Sequence, residues 1–231
     1  FRSDQKNTNL IDMPNAFWRK IVACCEGEIL SSLKSPSCHA HVLSASSLFL
    51  WQNKGLLITC GTTTLIDSVE MLFDTLPITA ASFIRRRAEQ PCLQKTTANQ
   101  DIHLLKNKHR FLERQFMSFN AKVAVLNENK LSGSHVLLMW GCSGEGHKLG
   151  LNGSVQTLLE RIENIPGMNQ FLLDSHAFSP NGFSCNGIGV DGSHRYFALH
   201  QSPQDNVNYI SIETDLPESN EMFKAFKQLF K

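Results

Sequence analysis

The 231-residue sequence has no long hydrophobic run and almost no net charge. No stretch approaches the roughly 20 apolar residues of a membrane-spanning helix, and the N-terminal residues are polar, without the apolar core of a signal peptide. With 22 basic and 21 acidic residues, the chain lacks a global field that would attract nucleic acid or an acidic surface. We therefore expect a cytoplasmic protein that binds neither membranes nor nucleic acid.

Cysteine occurs in a pattern that argues against two common roles. Seven cysteines, an odd number at irregular spacing, do not suit a disulfide framework and indicate reduced thiols. The stretch Cys38-His39-Ala40-His41 lacks the second pair of ligands of a zinc site, and adjacent residues of a strand point to opposite faces. We expect no metal site.

At 231 residues the chain could form one large domain or two small ones. Hydrophobic residues make up 42% of the chain, which is enough for a substantial core. Strand pairs that are repeatedly followed by a helix predict a layered α+β fold of antiparallel sheet covered by helices. The last third repeats the hairpin, hairpin, helix order of the first, consistent with an internal duplication. We expect residues 1–15 to be a loose N-terminal segment.

The positions of the elements follow from apolar periodicity and turn residues. Apolar residues at helical spacing predict helices over 16–25, 65–76, 103–119, 154–162 and 218–230. Polar stretches with Pro or Gly predict loops over 90–102 and 144–153. A strand over 41–50, a turn, and a second strand from residue 56 predict a hairpin.

This hairpin contains the residues that most strongly suggest chemistry. Ser46 and Ser47 form a serine doublet in its first strand, and Cys60 ends its second strand just before a helix. The free N–H groups of a helix's first turn favour a thiolate, so Cys60 is a candidate reactive thiol. A serine hydroxyl becomes a nucleophile when strain and neighbouring groups assist it, and a tight hairpin supplies strain.

Two motifs in the hairpin resemble those of the eukaryotic S-adenosylmethionine decarboxylases. The stretch Leu43-Ser44-Ala45-Ser46-Ser47-Leu48-Phe49 is similar to the family's Leu-Ser-Glu-Ser-Ser-(Leu/Met)-Phe. The stretch Thr59-Cys60-Gly61-Thr62-Thr63 is similar to the family's Lys-Thr-Cys-Gly-Thr-Thr. Further motifs follow in the family's order: Trp18 with its helix, Gln156-Thr157-Leu158, residues 178–187, Leu199-His200 and residues 209–214. The sequence is thus identified as a diverged member of that family.

The resemblance implies a single domain over residues 1–231 with an α/β/β/α sandwich, and an enzyme that makes its own pyruvoyl cofactor. In the family, the serine matching Ser46 attacks the preceding carbonyl to give an ester. A base then removes the serine α-proton, the chain breaks, and Ser46 becomes a pyruvoyl group. This group acts as an electron sink for decarboxylation of S-adenosylmethionine, a step towards spermidine.

The resemblance also assigns roles to four other residues. His200 matches the histidine that assists the elimination, and Ser184 matches a serine that supports processing. Cys60 matches the acid that protonates the substrate carbon after CO₂ leaves, and Phe178 matches an aromatic that stacks on adenine. Each has an ordinary alternative: His200 as a satisfied strand histidine, Ser184 as a turn hydroxyl, and Cys60 and Phe178 as core residues.

The chain departs from the family at several functional positions. Ala45 replaces the glutamate before the reactive serine, which changes the electrostatics of the cleavage site. Gln204 replaces the glutamate that binds both ribose hydroxyls, and its neutral amide is a weaker acceptor. The family's N-terminal Phe-Glu-Gly-x-Glu-Lys has no clear equivalent within residues 1–15.

A further departure concerns activation by putrescine. The charged cluster that binds this diamine in some members is represented by apolar residues at Ile58, Val155 and Leu159, and only Glu213 remains acidic. Apolar groups leave buried ammonium charges unpaired, so we expect putrescine activation to be lost.

The departures keep two alternatives open beside a decarboxylase that acts on S-adenosylmethionine or a closely related substrate. The first is an uncleaved pseudoenzyme that binds and regulates a partner, such as a paralogue. The second is an enzyme of the same fold with a different substrate or reaction. Either a monomer or a homodimer fits the family pattern.

Overall fold

The computed structural model describes residues 1–3, 9–44, 46–60, 63–86, 94–114, 121–126, 135–140, 142–151, 154–178, 182–202, 209–217 and 219–231. The helices are α1 (Asn15–Cys24), α2 (Leu65–Thr75), α3 (Ala98–His109), α4 (Glu145–Leu151), α5 (Val155–Glu163) and α6 (Ser219–Phe230). The strands in the first half are β1 (Arg2–Ser3), β2 (Ile29–Lys34), β3 (His39–Leu43), β4 (Ser46–Leu50), β5 (Gly55–Thr59) and β6 (Ile78–Arg86). Those that follow are β7 (Leu112–Arg114), β8 (Ala121–Leu126), β9 (His135–Trp140), β10 (Phe171–Ala177), β11 (Phe183–Gly189), β12 (Tyr196–Ser202) and β13 (Tyr209–Thr214).

The strands form three antiparallel sheets. The first has the order β2-β3-β4-β5, the second β10-β11-β12-β13-β9, and the third β1-β6-β8-β7. Residue Phe1 links the first sheet to the third, because its backbone exchanges two hydrogen bonds of 2.9 Å with Gly55 at the start of β5. In the first sheet and along β10-β11-β12-β13, neighbouring strands are consecutive in the chain, and their short connections favour antiparallel pairing.

The first and second sheets pack face to face. Strand β3 lies against β11, and β2 lies against β10. Apolar side chains from both sheets fill the space between them, among them Phe49, Trp51, Ile188 and Tyr196. Because side chains alternate along a strand, Phe49 faces this inner layer while Leu48 and Leu50 face the other side of the first sheet.

Helices cover the outer face of each of these two sheets. Trp18 and Ile21 of α1 and Leu72 of α2 pack on Leu48 and Leu50 of the first sheet. On the second sheet, the outer core contains residues of α5, α6, β11 and β12, namely Leu158, Ile162, Phe226, Phe183 and Leu199. Each such buried side chain contributes about 1.5 to 3 kcal/mol. The predicted α/β/β/α sandwich is therefore confirmed.

The third sheet has its own covering helix. Ile102 and Leu105 of α3 are buried against Phe83 of β6. Within the described residues, none of the helices combines the length and the apolar character needed to cross a membrane.

Helix α3 begins earlier than periodicity predicted. The helix predicted over 103–119 lies at Ala98–His109, so part of the predicted loop is helical. Thr97 and Gln100 form a capping box that starts the helix, and Arg110 ends it in a left-handed conformation with φ of 58°. The chain then enters β7, and residues 115–119 lie outside the described residues. Local capping decided these boundaries.

Helix α4 occupies most of the loop that was predicted over 144–153. Its glycines suggested a loop, but they serve close packing instead. A Cβ on Gly146 would lie 2.7 Å from Leu229 Cγ, so only glycine lets α4 approach α6 this closely.

The N-terminal residues that we expected to be loose pack against the sheets where the structure describes them. Ser3 N donates to Asn53 O (2.9 Å), and Leu10 N donates to Gln52 O (2.9 Å). Leu10 is fully buried in the core beneath α1. The apolar residues Phe1 and Leu10 fix this segment even though its composition is polar.

Candidate active site

The serine doublet lies directly after the turn of a hairpin. The single strand predicted over 41–50 is two strands, β3 ending at Leu43 and β4 beginning at Ser46, and these two residues face each other in the ladder. Ser44 anchors the turn to the chain before β2, since its N–H donates to Glu28 O (3.0 Å) and its Oγ accepts from Glu28 N (3.1 Å). Ala45 lies outside the described residues.

The two serines have different surroundings. Both are fully buried. The Ser46 hydroxyl has no hydrogen-bond partner among the residues that the structure describes. The Ser47 hydroxyl points between the sheets, where its Oγ lies 3.0 Å from His200 Nε2. Adjacent residues of a strand project to opposite faces, which explains the difference.

Ser184 and His200 form a buried pair on the second sheet. They are directly opposite each other on β11 and β12, and Ser184 Oγ lies 3.0 Å from His200 Nδ1. Burial lowers the pKa of His200 to about 4, so the imidazole is neutral at pH 7. A neutral imidazole that contacts two hydroxyls is equipped to accept a proton.

Asn186 completes this group of side chains. It lies two residues after Ser184 and therefore on the same face of β11. Its Nδ2 donates to the backbone oxygen of His41 (2.8 Å), and its Oδ1 accepts from Ser47 Oγ (2.5 Å). Ser47, Ser184, Asn186 and His200 thus form one hydrogen-bonded network, called here the His200 network, which joins the two sheets.

Sequence reasoning found only half of this network. It singled out Ser184 and His200 but assigned no role to Ser47 or Asn186, although both stood within quoted motifs. The available signal was the spacing, because Ser184 and Asn186 at i and i+2 of a predicted strand must share a face. Which residues of the first sheet contact that face depends on how the two sheets stack.

Cys60 lies next to the strand partner of Ser46. Ser46 faces Thr59 in the ladder between β4 and β5, and Cys60 follows directly. Burial of the sulfur raises the pKa of the Cys60 thiol to about 12. The expectation that a helix N-terminus would favour the thiolate was wrong, because desolvation of the sulfur dominates. The protonated thiol is able to donate a proton.

Phe178 follows β10 at the end of the sheet where Ser184 lies. Its N–H donates to Gly182 O (2.9 Å), and its ring centre is 5.5 Å from that of His176, the ladder partner of Ser184. Gly182 has φ of 153°, and a Cβ there would lie 2.9 Å from the Phe178 ring. Glycine therefore allows the ring to lie beside β11. Gln204, which the resemblance places at the ribose, lies outside the described residues, as does Ala45.

The four residues compared with a putrescine site do not form one cluster. Val155 and Leu159 of α5 pack in the outer core, on the helix side of the second sheet. Ile58 packs between the two sheets. Glu213 is buried on β13, where Tyr196 donates a hydrogen bond to it (3.1 Å).

The buried groups around β4 suit a serine-derived pyruvoyl group. The Ser46 hydroxyl is buried and uncommitted within the described part of the chain, so no hydrogen bond has to break before it reacts. The neutral His200 lies on β12 of the facing sheet, and the protonated thiol of Cys60 directly follows β5, the ladder partner of β4. Over the described ranges, no three His, Cys, Asp or Glu side chains converge as metal ligands.

Comparison with known proteins identifies the family. The sequence profile of the adenosylmethionine decarboxylases matches residues 1–137 and 103–231, which together cover the whole chain. The chain therefore belongs to the adenosylmethionine decarboxylase family, as its motifs predicted.

Individual relatives are distant. The chain is 27% identical over 225 residues to S-adenosylmethionine decarboxylase proenzyme 4 of Arabidopsis thaliana, covering 81% of this chain and 62% of the relative. It is 24% identical over 246 residues to the proenzyme of Leishmania donovani, covering 91% of this chain and 61% of the relative. The chain thus spans about three fifths of the length of these relatives.

A solved structure has the same fold. The crystal structure of a Trypanosoma brucei AdoMetDC-delta26 monomer superposes with a TM-score of 0.61 at 18% identity, covering 79% of this chain and 75% of that one. At this identity, the likeness concerns the fold alone.

Proposed function

We propose that this chain cleaves itself between Ala45 and Ser46 and then decarboxylates S-adenosylmethionine or a closely related substrate, as in spermidine biosynthesis. The observation that carries the proposal is the buried Ser184–His200 pair next to the serine doublet. Family membership and the names of the proenzyme relatives support the reaction class.

The cleavage begins with the Ser46 hydroxyl. Its oxygen bonds to the carbonyl carbon of residue 45 while the peptide C–N bond breaks and the hydroxyl proton passes to the Ser46 nitrogen, which gives an ester and a free amine. A base then removes the Ser46 α-proton, the bond from Cβ to Oγ breaks, and residue 45 leaves as a carboxylate. Water converts the remaining group to pyruvoyl and ammonia. We assign the base to His200, which is neutral at pH 7 and takes up the proton through the hydroxyl of Ser184, 3.0 Å from its Nδ1.

Decarboxylation uses residues around the same strand end. The pyruvoyl group supplies a carbonyl that draws electrons from the breaking carbon–carboxylate bond. Cys60 donates a proton to the carbon that loses CO₂, because its thiol stays protonated at neutral pH. Phe178 offers a half-buried aromatic face for a purine. We assign ribose binding to Gln204, whose neutral amide stands where the family has a carboxylate.

Two substitutions favour a second candidate, an uncleaved protein that regulates a partner such as a paralogue. Ala45 lacks the carboxylate that precedes the reactive serine in the family, and Gln204 lacks the charge of the ribose-binding glutamate. A chain selected only for partner binding has no need of a buried base and acid. We favour the enzyme because the described residues retain both.

Denaturing electrophoresis with intact mass measurement tests the cleavage. Purified wild-type protein is expected to give fragments of 45 and 186 residues, the larger starting with a pyruvoyl group. The Ser46→Ala variant, which lacks the nucleophile, is expected to stay at full length. A single full-length wild-type band would refute self-cleavage and favour the regulatory protein.

Release of CO₂ from carboxyl-labelled S-adenosylmethionine tests the reaction. Cleaved wild-type protein is expected to release CO₂, and Cys60→Ala to release it about 10² times more slowly, as is typical for loss of a general acid. Cys24→Ala, which changes a cysteine on α1, serves as the matched control and should retain the wild-type rate. Cleavage without CO₂ release would indicate a different substrate.

A further inference from the structure

The orientation of the Asn186 amide is determined by its surroundings. The side chain is fully buried between the sheets. The backbone oxygen of His41, 2.8 Å away, has no hydrogen and only accepts. The amide group that faces it must therefore be the NH₂ group, and the amide oxygen must face Ser47.

This orientation determines which atom accepts the single hydroxyl proton of Ser47. The distance from Ser47 Oγ to Asn186 Oδ1 is 2.5 Å, and the amide oxygen has no hydrogen to share. Ser47 must donate its proton to Asn186. The oxygen of Ser47 then has only lone pairs left for His200 Nε2, which lies 3.0 Å away. Consequently, Nε2 must carry the hydrogen in that contact.

A neutral imidazole carries one hydrogen, so the other ring nitrogen is then a lone-pair acceptor. Ser184 Oγ lies 3.0 Å from Nδ1 and donates its proton there. Each polar atom of the His200 network has a role as donor or acceptor, and no other assignment satisfies them all.

We propose that Ser47 and Asn186 are positioning residues that fix His200 as the tautomer with hydrogen on Nε2 and a lone pair on Nδ1 facing Ser184. The assignment of the tautomer stands on the geometry of the uncleaved chain. Its consequence for cleavage rests on the proposed function.

The consequence is a defined route for the proton. As the Ser46 α-proton moves to Ser184 Oγ, the hydroxyl proton of Ser184 moves to Nδ1 of His200. The ring becomes an imidazolium, and Ser184 is again a neutral hydroxyl. Nε2–H stays hydrogen-bonded to Ser47 Oγ, which keeps its own proton and donates it in a hydrogen bond to Asn186 Oδ1. The opposite tautomer would present an N–H to Ser184 and could not accept this proton.

Nitrogen NMR of the histidine rings tests the tautomer without requiring cleavage. The Ser46→Ala chain, labelled with ¹⁵N-histidine, keeps the precursor intact, and His200→Gln in that background assigns the signals among nine histidines. At pH 7 we expect Nε2 of His200 to show the shift of a protonated nitrogen and Nδ1 that of an unprotonated one. The reverse pattern would overturn the proposal.

A matched pair of substitutions separates tautomer control from packing. Asn186→Asp keeps an acceptor oxygen for Ser47 and should keep hydrogen on Nε2. Asn186→Leu has a similar size but no acceptor, so both ring nitrogens should shift towards values averaged between two tautomers. A purely structural role predicts that Asp disturbs the site at least as much as Leu, because Asp buries a charge. An unchanged spectrum in Asn186→Leu would also refute the proposal.

A second variant covers the case in which Asn186→Leu does not fold. Ser47→Ala removes the acceptor at Nε2 and should produce the same averaging of the two nitrogen shifts. Ser31→Ala is the control, since Ser31 also hydrogen-bonds across the sheets, to Asp174 (2.7 Å), but does not contact His200. In the cleavable background, Ser47→Ala should slow cleavage and Ser31→Ala should not. Absence of cleavage in wild type would refute the proposed function but leave the tautomer test valid.

Discussion

Acid should destabilise this protein through two buried histidines. Burial lowers the pKa of His200 from 6.5 to about 4 and that of His41 from 6.5 to about 3. Between pH 6.5 and pH 4, the unfolded chain binds protons at both residues and the folded chain does not. The free energy of unfolding therefore falls as the pH falls through this window.

The size of the effect follows from these pKa values. A histidine whose pKa is lowered from 6.5 to about 4 contributes a loss of about 2 kcal/mol between pH 7 and pH 5. His41, with its lower folded pKa, contributes a loss of about the same size over this interval. Such losses are a large fraction of the roughly 5 to 15 kcal/mol of a typical domain.

Urea denaturation at pH 7 and pH 5 measures this loss. The assay uses the uncleaved Ser46→Ala chain and follows the fluorescence of the buried Trp18 and Trp51. Adding His200→Gln should reduce the difference between the two pH values by about 2 kcal/mol. The control His194→Gln changes an exposed histidine and should leave that difference unaltered. An equal pH dependence in His200→Gln and its parent would refute the reasoning.

Two further predictions concern packing and thiol reactivity. Leu158→Ala should lower the free energy of unfolding by about 2 to 5 kcal/mol, because this side chain is fully buried in the outer core. The exposed Leu112→Ala should change it by less than about 0.5 kcal/mol in the same urea titration. Cys60 should react with iodoacetamide far more slowly in the folded chain than in urea at pH 8, as measured by peptide mass mapping, because its thiol is protonated. Equal rates would contradict the raised pKa.

Prediction from sequence succeeded where local pattern and motif order carry the information. Apolar periodicity located α1, α2, α5 and α6 to within a few residues, since each has one face in a core. It misplaced α3, whose start depends on the Thr97–Gln100 capping box, and it missed α4, whose glycines allow contact with α6. Glycine content and polar composition were misleading where tertiary contacts decide the conformation.

For the serine doublet, too, some features follow from the sequence and others only from tertiary contacts. The order of its motifs was sufficient to identify the family, because linear motifs are recognisable without knowledge of the fold. The same motifs nominate Ser46, Cys60, Ser184 and His200 as site residues, and these roles stay predictions. The contact between Ser47 and His200 joins residues that are 153 positions apart in the sequence. It therefore depends on how the two sheets stack and on the strand register, since a shift of the register by one residue would turn the side chains to the opposite face.

The sequence by itself determined the layered fold, the family and the residue types available for chemistry. Only the tertiary structure decided which serine meets the histidine, which nitrogen of that histidine is left to accept a proton, and that the Cys60 thiol stays protonated. The physical reason is that hydrogen-bond direction and desolvation arise from groups brought together by folding. Neither is encoded in the spacing of residues along the chain.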